Sequence, residues 1–411
     1  MISGKRRLGA LAACGAAALA LLPAGALAAP VRPPGIHVRA AALIDASTGQ
    51  QLYGLHSRDE LAIASTTKLM TALVVLQHAR LGHVFTAPPV ELAAEDSQIG
   101  LAAGQRMTVG DLLIAMMLPS ADDAAYDLAY NVGGHSVGRF EAMMNAEAAR
   151  LGLTHTHYST PVGLDTPGNH STADNLVALA RYLLRTQPFL RHVVSLPSAR
   201  IRVDRRTRVV TNLNTLVGRV RWVTGVKTGH TLDAGYVLVG SGHRDGMSLV
   251  SAVLGASGES ARELDTLRLL DWGFGNFRVV SPVSEGQAVA SRPVRGRSEL
   301  HVSLVATGSF KRVLPRTTKV TTVVRAPREL RGPLRRGALA GTIVVGDGRV
   351  VLDTIPLRLA RGVPAPPSTL SPTTIAGPFT LVLLVLLLGV AVLRGRRERV
   401  TGRRAASQQQ E

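Results

Sequence analysis

Helical periodicity occupies one block of this chain, residues 65–184, with strand-like runs on both sides of it. Before the block, residues 38–45 are mostly apolar, 46–50 form a turn, and 51–54 a second strand, so the domain opens with a hairpin. Within the block the spacing predicts helices over 65–81, 109–117, 122–131, 136–151 and 172–184, the last with Thr172 and Asp174 near its start. Strands return weakly at 207–211 and strongly at 236–241 and 248–254, and a helix over 260–272 closes the domain. Strands, a helical block, strands and a helix together read as an α/β domain with a largely antiparallel sheet.

Beyond residue 278 the texture changes. Short alternating runs at 300–305, 320–324, 341–345 and 350–355, separated by Gly, Pro and charged turns, read as a small all-β domain over 278–363. Residues 364–374 form a linker rich in Pro, Ser and Thr. The next nineteen residues, 375–393, carry no charge. As a helix they would rise about 28 Å, the thickness of a bilayer core. Arg394, Arg396, Arg397 and Arg399 follow at once, which predicts a transmembrane helix with residues 394–411 as a cytoplasmic basic tail.

At the other end, Lys5-Arg6-Arg7, an apolar run over 8–22 and Ala26-Leu27-Ala28 read as a signal peptide over 1–28. The expected location is the cell membrane, single-pass, with the α/β domain (29–277) extracytoplasmic. Cys14, the only cysteine, falls in that signal, so the remainder holds no disulfide and no Cys–metal site.

The formal net charge is +19, but it is unevenly spread. Residues 29–277 contribute only +1, whereas 278–365 contribute +11. The excess sits just ahead of the apolar span, suited to anionic lipid head groups or wall polymers. Few aromatics interleave with these arginines, so nucleic acid is not an expected partner.

Between residues 29 and 276 the chain carries Arg at twenty positions and Lys at two, Lys68 and Lys227. A guanidinium stays protonated, while a buried amine beside another cation loses its proton and acts as a base. Lys68 stands in Ser65-Thr66-Thr67-Lys68 at a helix start. Spacing of i to i+3 puts hydroxyl and amine on one face, as a nucleophile with an adjacent base requires. Lys227 opens Lys227-Thr228-Gly229-His230-Thr231, either a turn or a place where Gly229 lets a substrate approach. Between them lies Ser120-Ala121-Asp122-Asp123, which on its own also suits a helix N-cap.

In these motifs, and in Ile44-Asp45-Ala46-Ser47-Thr48-Gly49, Gly163-Leu164-Asp165 and Ser171-Thr172-Ala173, the chain resembles the serine-type D-alanyl-D-alanine carboxypeptidases. These are the low-molecular-mass penicillin-binding proteins, of peptidase S11 type. The resemblance implies a β-lactamase/penicillin-binding transpeptidase-like catalytic domain, then a small β-domain and a membrane anchor. It implies Ser65 as the acylated nucleophile, Lys68 as its base, and Ser120 as proton relay to the leaving amine. Lys227 and Thr228 would bind the substrate carboxylate, with Arg262 assisting. Gly229 would admit the substrate, and the N–H groups of Ser65 and His230 would form an oxyanion hole. Implied partners are peptidoglycan stem peptides ending in D-Ala-D-Ala, and β-lactams as covalent inhibitors. No cofactor and no metal is expected. There is no His-Glu-x-x-His, and His155 and His157 read as part of a surface turn.

Two positions depart from the family pattern. Ile63 stands where Pro is usual, and Asp122 where Asn is usual. An ionised Asp only accepts hydrogen bonds and carries charge. Asp122, grouped here with the substrate-binding residues, is expected to pair with Lys68, raise its pKa and move activity to higher pH. The competing readings are a DD-endopeptidase or transpeptidase with the same motifs, and a non-catalytic peptidoglycan-binding scaffold in which Asp122 has degraded the site. A class A β-lactamase is disfavoured because residues 164–171 contain no Glu.

Overall fold

The computed structural model of the chain describes residues 33–366, apart from Glu95 and Arg349, together with Val385 and Leu386. The expected signal peptide and cytoplasmic tail lie outside the described residues, as does the transmembrane span except for that pair. No helix among the described residues is long and apolar enough to cross a membrane. The described chain forms two compact units. The first runs to Pro282 and recruits Phe310–Thr321 and Gly346–Val350; the second holds Val283–Ser309, Thr322–Val345 and the residues from Val351.

The first unit is built on a five-stranded antiparallel sheet. Its strands are β1 (Ala40–Asp45), β2 (Gln51–Leu55), β3 (Val223–Thr231), β4 (Gly235–Arg244) and β5 (Met247–Ala256), in the spatial order β2-β1-β5-β4-β3. All six residues of β1 are buried, because both faces of the sheet are covered. Side chains alternate between the two faces. Ala40, Ala42 and Ile44 join the core beneath the helical block, while Ala41 and Leu43 join a second core with Leu269, Leu270 and Phe274 of the closing helix. A strand that serves two cores has to be apolar throughout, which is why the run reads as continuous rather than alternating.

The helical block comprises α1 (Lys68–His78), α2 (Val109–Met117), α3 (Asp122–Val132), α4 (Val137–Arg150), α5 (Ala173–Thr186) and α6 (Pro188–Val193), and α7 (Glu259–Asn276) closes the unit. Three starts are set by side chains that accept a free backbone N–H: Thr108 from Asp111, Ser136 from Arg139 and Thr172 from Asn175. The α1 helix is entered through a 3-10 turn, Ala64–Thr67. Segment 223–231, which alone could also be a turn, is the edge strand β3. The weak 207–211 run is strand Arg206–Thr211, paired with Ser198–Val203 in a hairpin not evident from the sequence.

In the second unit a five-stranded sheet is formed by Ala288–Val294, Arg297–Ala306, Val350–Leu359, Leu339–Asp347 and Val320–Arg325, in that spatial order. Its core is small and aliphatic, with Val302, Leu304, Val345 and Leu357 buried.

One core residue carries a pH signature. Asp127 of α3 is fully buried, and burial pushes its carboxyl up to about 7 against the opposing hydrogen bond from Asn131 Nδ2 at 2.6 Å. Its folded pKa exceeds the unfolded one, so the folded state holds the proton between about pH 4 and 7. The group therefore favours folding at the acid end of that window, and its contribution is lost as pH rises through 7. Denaturant unfolding of the wild type should show stability falling by a few kcal/mol from pH 5 to 8 relative to Asp127→Asn. Parallel pH–stability curves for the two proteins would refute this assignment.

Candidate active site

The mouth of the site is the outer edge of β3, whose inner edge pairs with β4 (Lys227 opposite Val239, Gly229 opposite Val237). Against it packs the 3-10 turn bearing Ser65. A side chain at Gly229 would lie 2.9 Å from both Ala64 Cβ and the Ser65 nitrogen, so only glycine lets the strand come this close. On another side of the turn, Gly163 (φ +95°) packs its backbone on the Ala64 carbonyl, leaving no room for a Cβ. Ala64 (φ +46°) and Ser120 (φ +66°) are themselves non-glycine residues in the left-handed region. Such conformations cost about 1–3 kcal/mol each and persist where the surroundings over-determine them.

Ser65 is half-buried, between neighbours from Ile63 to Lys68 that are all buried. The Lys68 Nζ is completely buried and lies 2.8 Å from Ser65 Oγ, 2.8 Å from the Val162 carbonyl and 2.6 Å from Asp122 Oδ1. A second buried amine, Lys227 Nζ, donates to Ser120 Oγ at 2.9 Å and to the Thr228 carbonyl at 3.0 Å. Two hydroxyl–amine pairs thus face one cleft, Ser65–Lys68 and Ser120–Lys227.

Burial pushes Lys68 below the usual lysine range, with the Asp122 and Asp96 carboxylates opposing the shift. The same burial pushes Asp122 up, with Lys68 opposing. Both shifts favour the uncharged forms of the pair. Lys227 falls well below the lysine range through burial and then through the charge of Lys68. The pairing of Asp122 with Lys68 expected from sequence is therefore present and Asp122 pulls the amine upward, but desolvation outweighs that pull and the net shift of Lys68 is downward.

Of the remaining residues singled out by sequence, Thr228 is buried and His230 is exposed, its ring stacked on Tyr236 with centroids 4.1 Å apart. Arg262 lies over the same Tyr236 ring at 5.7 Å and pairs with Glu259 at 2.9 Å, while its buried Nε has no hydrogen-bond partner among the described residues. Its charge adds to the lowering of Lys227, although no hydrogen bond joins it to Lys227 or Thr228 among the described residues.

Sequence reasoning missed the Val162 carbonyl, the Tyr236 platform and the role of Asp123. The Asp123 carboxylate accepts the N–H groups of Ile99 and Leu101 and ties that loop to the start of α3. The Gly163-Leu164-Asp165 motif signalled the first of these, since a glycine next to the acceptor marks a tight approach. Among the described residues no cluster of His, Cys, Asp or Glu has the makings of a metal site. His155 is exposed and contacts Glu60 at 2.9 Å, and His157 sits in a short bridge with His170.

A family model described as D-alanyl-D-alanine carboxypeptidase, Peptidase S11, matches residues 28–258. The chain is 32% identical to D-alanyl-D-alanine carboxypeptidase DacC of Escherichia coli, across 80% of this chain and 86% of that protein. With DacB2 of Mycobacterium tuberculosis, also named a D-alanyl-D-alanine carboxypeptidase, it shares 35% identity over 61% of this chain and 86% of the relative. Among solved structures, penicillin binding protein 5 of Haemophilus influenzae superposes with a TM-score of 0.63 at 26% identity, covering 81% of this chain and 99% of that one. The Streptomyces K15 DD-transpeptidase superposes with a TM-score of 0.56 at 31% identity, covering 60% of this chain and 100% of that one.

Proposed function

We infer, from membership of the D-alanyl-D-alanine carboxypeptidase family to which the chain belongs, that it removes the terminal D-Ala from peptidoglycan stem peptides through a Ser65 acyl-enzyme. The observation that carries the reading is the buried Lys68 amine 2.8 Å from Ser65 Oγ, beside a second buried amine.

The surroundings of Lys68 limit what it can take a proton from. Of its three neighbours, the Val162 carbonyl only accepts, while the Ser65 hydroxyl and an uncharged Asp122 can each donate to the unprotonated amine, and of these Ser65 carries the nucleophilic oxygen. Ser65 then passes its proton to Lys68 as Oγ attacks the carbonyl of the penultimate D-Ala. The oxyanion is met by the N–H groups of Ser65 and His230. The C–N bond breaks as Ser120 gives its proton to the departing amine and recovers one from the Lys68 ammonium, so that Lys68 is neutral again for the next step. Lys227 and Thr228 hold the terminal carboxylate. Water, activated by Lys68, releases the shortened peptide. A β-lactam carbonyl would acylate the same oxygen and block it.

For localisation, we propose export through residues 1–28 and anchoring by residues 375–393, with the first unit on the extracytoplasmic side. The uncharged span, the arginines behind it and the basic stretch ahead of it support this.

Release of D-Ala from a peptide ending in D-Ala-D-Ala should fall by at least about 10³-fold in Ser65→Ala and stop under penicillin. Absence of turnover at any pH would favour the scaffold reading instead. In Asp122→Asn the opposing pull on Lys68 is gone, so more amine is free at low pH, and the acid limb of kcat/KM should move to lower pH. Superimposable pH profiles would remove Asp122 from the proton chemistry. Deleting residues 375–411 should shift the protein from the membrane fraction to the soluble extracytoplasmic one; continued sedimentation with membranes would refute the anchor.

A further inference from the structure

Away from the catalytic cleft, a cavity of about 580 Å³ opens at the foot of the central sheet, beneath α5 and α6. Its walls carry Arg181, Arg185 and Arg191, and none of the three forms an ion pair among the described residues. Arg181 spends donors on the carbonyls of Ala46 and Ser47, and Arg191 one on Leu184. The charge of Arg185 acts on Arg181 with Asp45 as the one opposing acid, and the Asp45 Oδ1 is already engaged by Ser47 and Thr48. Among the described residues no carboxylate lines the cavity. Its polar floor is made by the paired hydroxyls of Thr224 and Ser241, 2.8 Å apart, and by His243.

We propose that this cavity binds a phosphate group carried on a small polyol or on a polymer of such units. Three guanidinium groups over a floor of hydroxyls offer more donors than the two oxygens of a carboxylate use, and they match the acceptors of a phosphate. The volume exceeds that of phosphate alone and leaves space for the group that carries it. Thr224 belongs to β3, three residues before Lys227, so the ligand would seat about 10 Å along the strand from the cleft. The proposal does not depend on the reaction assigned to Ser65.

The test is calorimetric titration of the full-length chain with inorganic phosphate, glycerol 3-phosphate and a glycerol-phosphate oligomer, with potassium chloride at matched ionic strength as control. The comparison protein carries Arg185→Glu and Arg191→Glu, two exposed residues of the rim, and penicillin acylation of Ser65 is followed in both proteins. The expected result is saturable binding weakened by about tenfold or more in the variant, with acylation unchanged. Equal affinity for monoester and oligomer assigns a small phosphorylated ligand, and binding of the oligomer alone assigns a polymer; both support the site. Chloride acting as well as phosphate, affinity unaltered by the charge reversals, or no saturable binding overturns it. Binding that survives without any acylation of Ser65 would leave this site standing and count against the reaction instead.

Discussion

Lys68 and Lys227 are both withdrawn from solvent in one cleft, where two ammonium ions would repel through a medium that screens poorly. Much of the first unit serves to hold them there with different surroundings. Lys68 faces a hydroxyl, a carbonyl and a carboxylate, Lys227 a hydroxyl and a carbonyl. The placements come from elements far apart in sequence: a 3-10 turn, the start of α3, the loop before Gly163 and the edge strand β3. Replacing either amine by a guanidinium would fix a permanent charge at a point that has to change protonation state.

The strands β1, β4 and β5 were legible because burial on both faces makes them continuously apolar. Apart from α6, which the periodicity did not reveal, the helices were legible to within a few residues, and Thr108, Ser136 and Thr172 cap three of their starts. Strand β3 was harder to read. Its Lys227-Thr228-Gly229 core is polar and glycine-bearing, which is a turn composition, and it becomes a strand only through pairing with β4. The hairpin 198–211 was half hidden for a related reason, since its arginines alternate toward solvent and leave little apolar signal.

At the site, the sequence indicated the hydroxyl–amine pairs through short spacings and motif order. Backbone participants such as the Val162 carbonyl have no side-chain signature to find. Asp122 was visible as a departure, and its contact with Lys68 followed from charge alone. Which effect controls Lys68 did not follow, because the depth of burial is a tertiary property that motif spacing does not encode.

The outer edge of β3 leaves a row of peptide groups without a neighbouring strand. An open edge of this kind invites any extended chain to add itself to the sheet. Here the invitation is narrowed at one point, where the Ser65 turn packs against Gly229. A guest held by its main chain is selected for shape and handedness more than for side-chain identity. One cleft would then accept stem peptides that differ in the residues further from the cut.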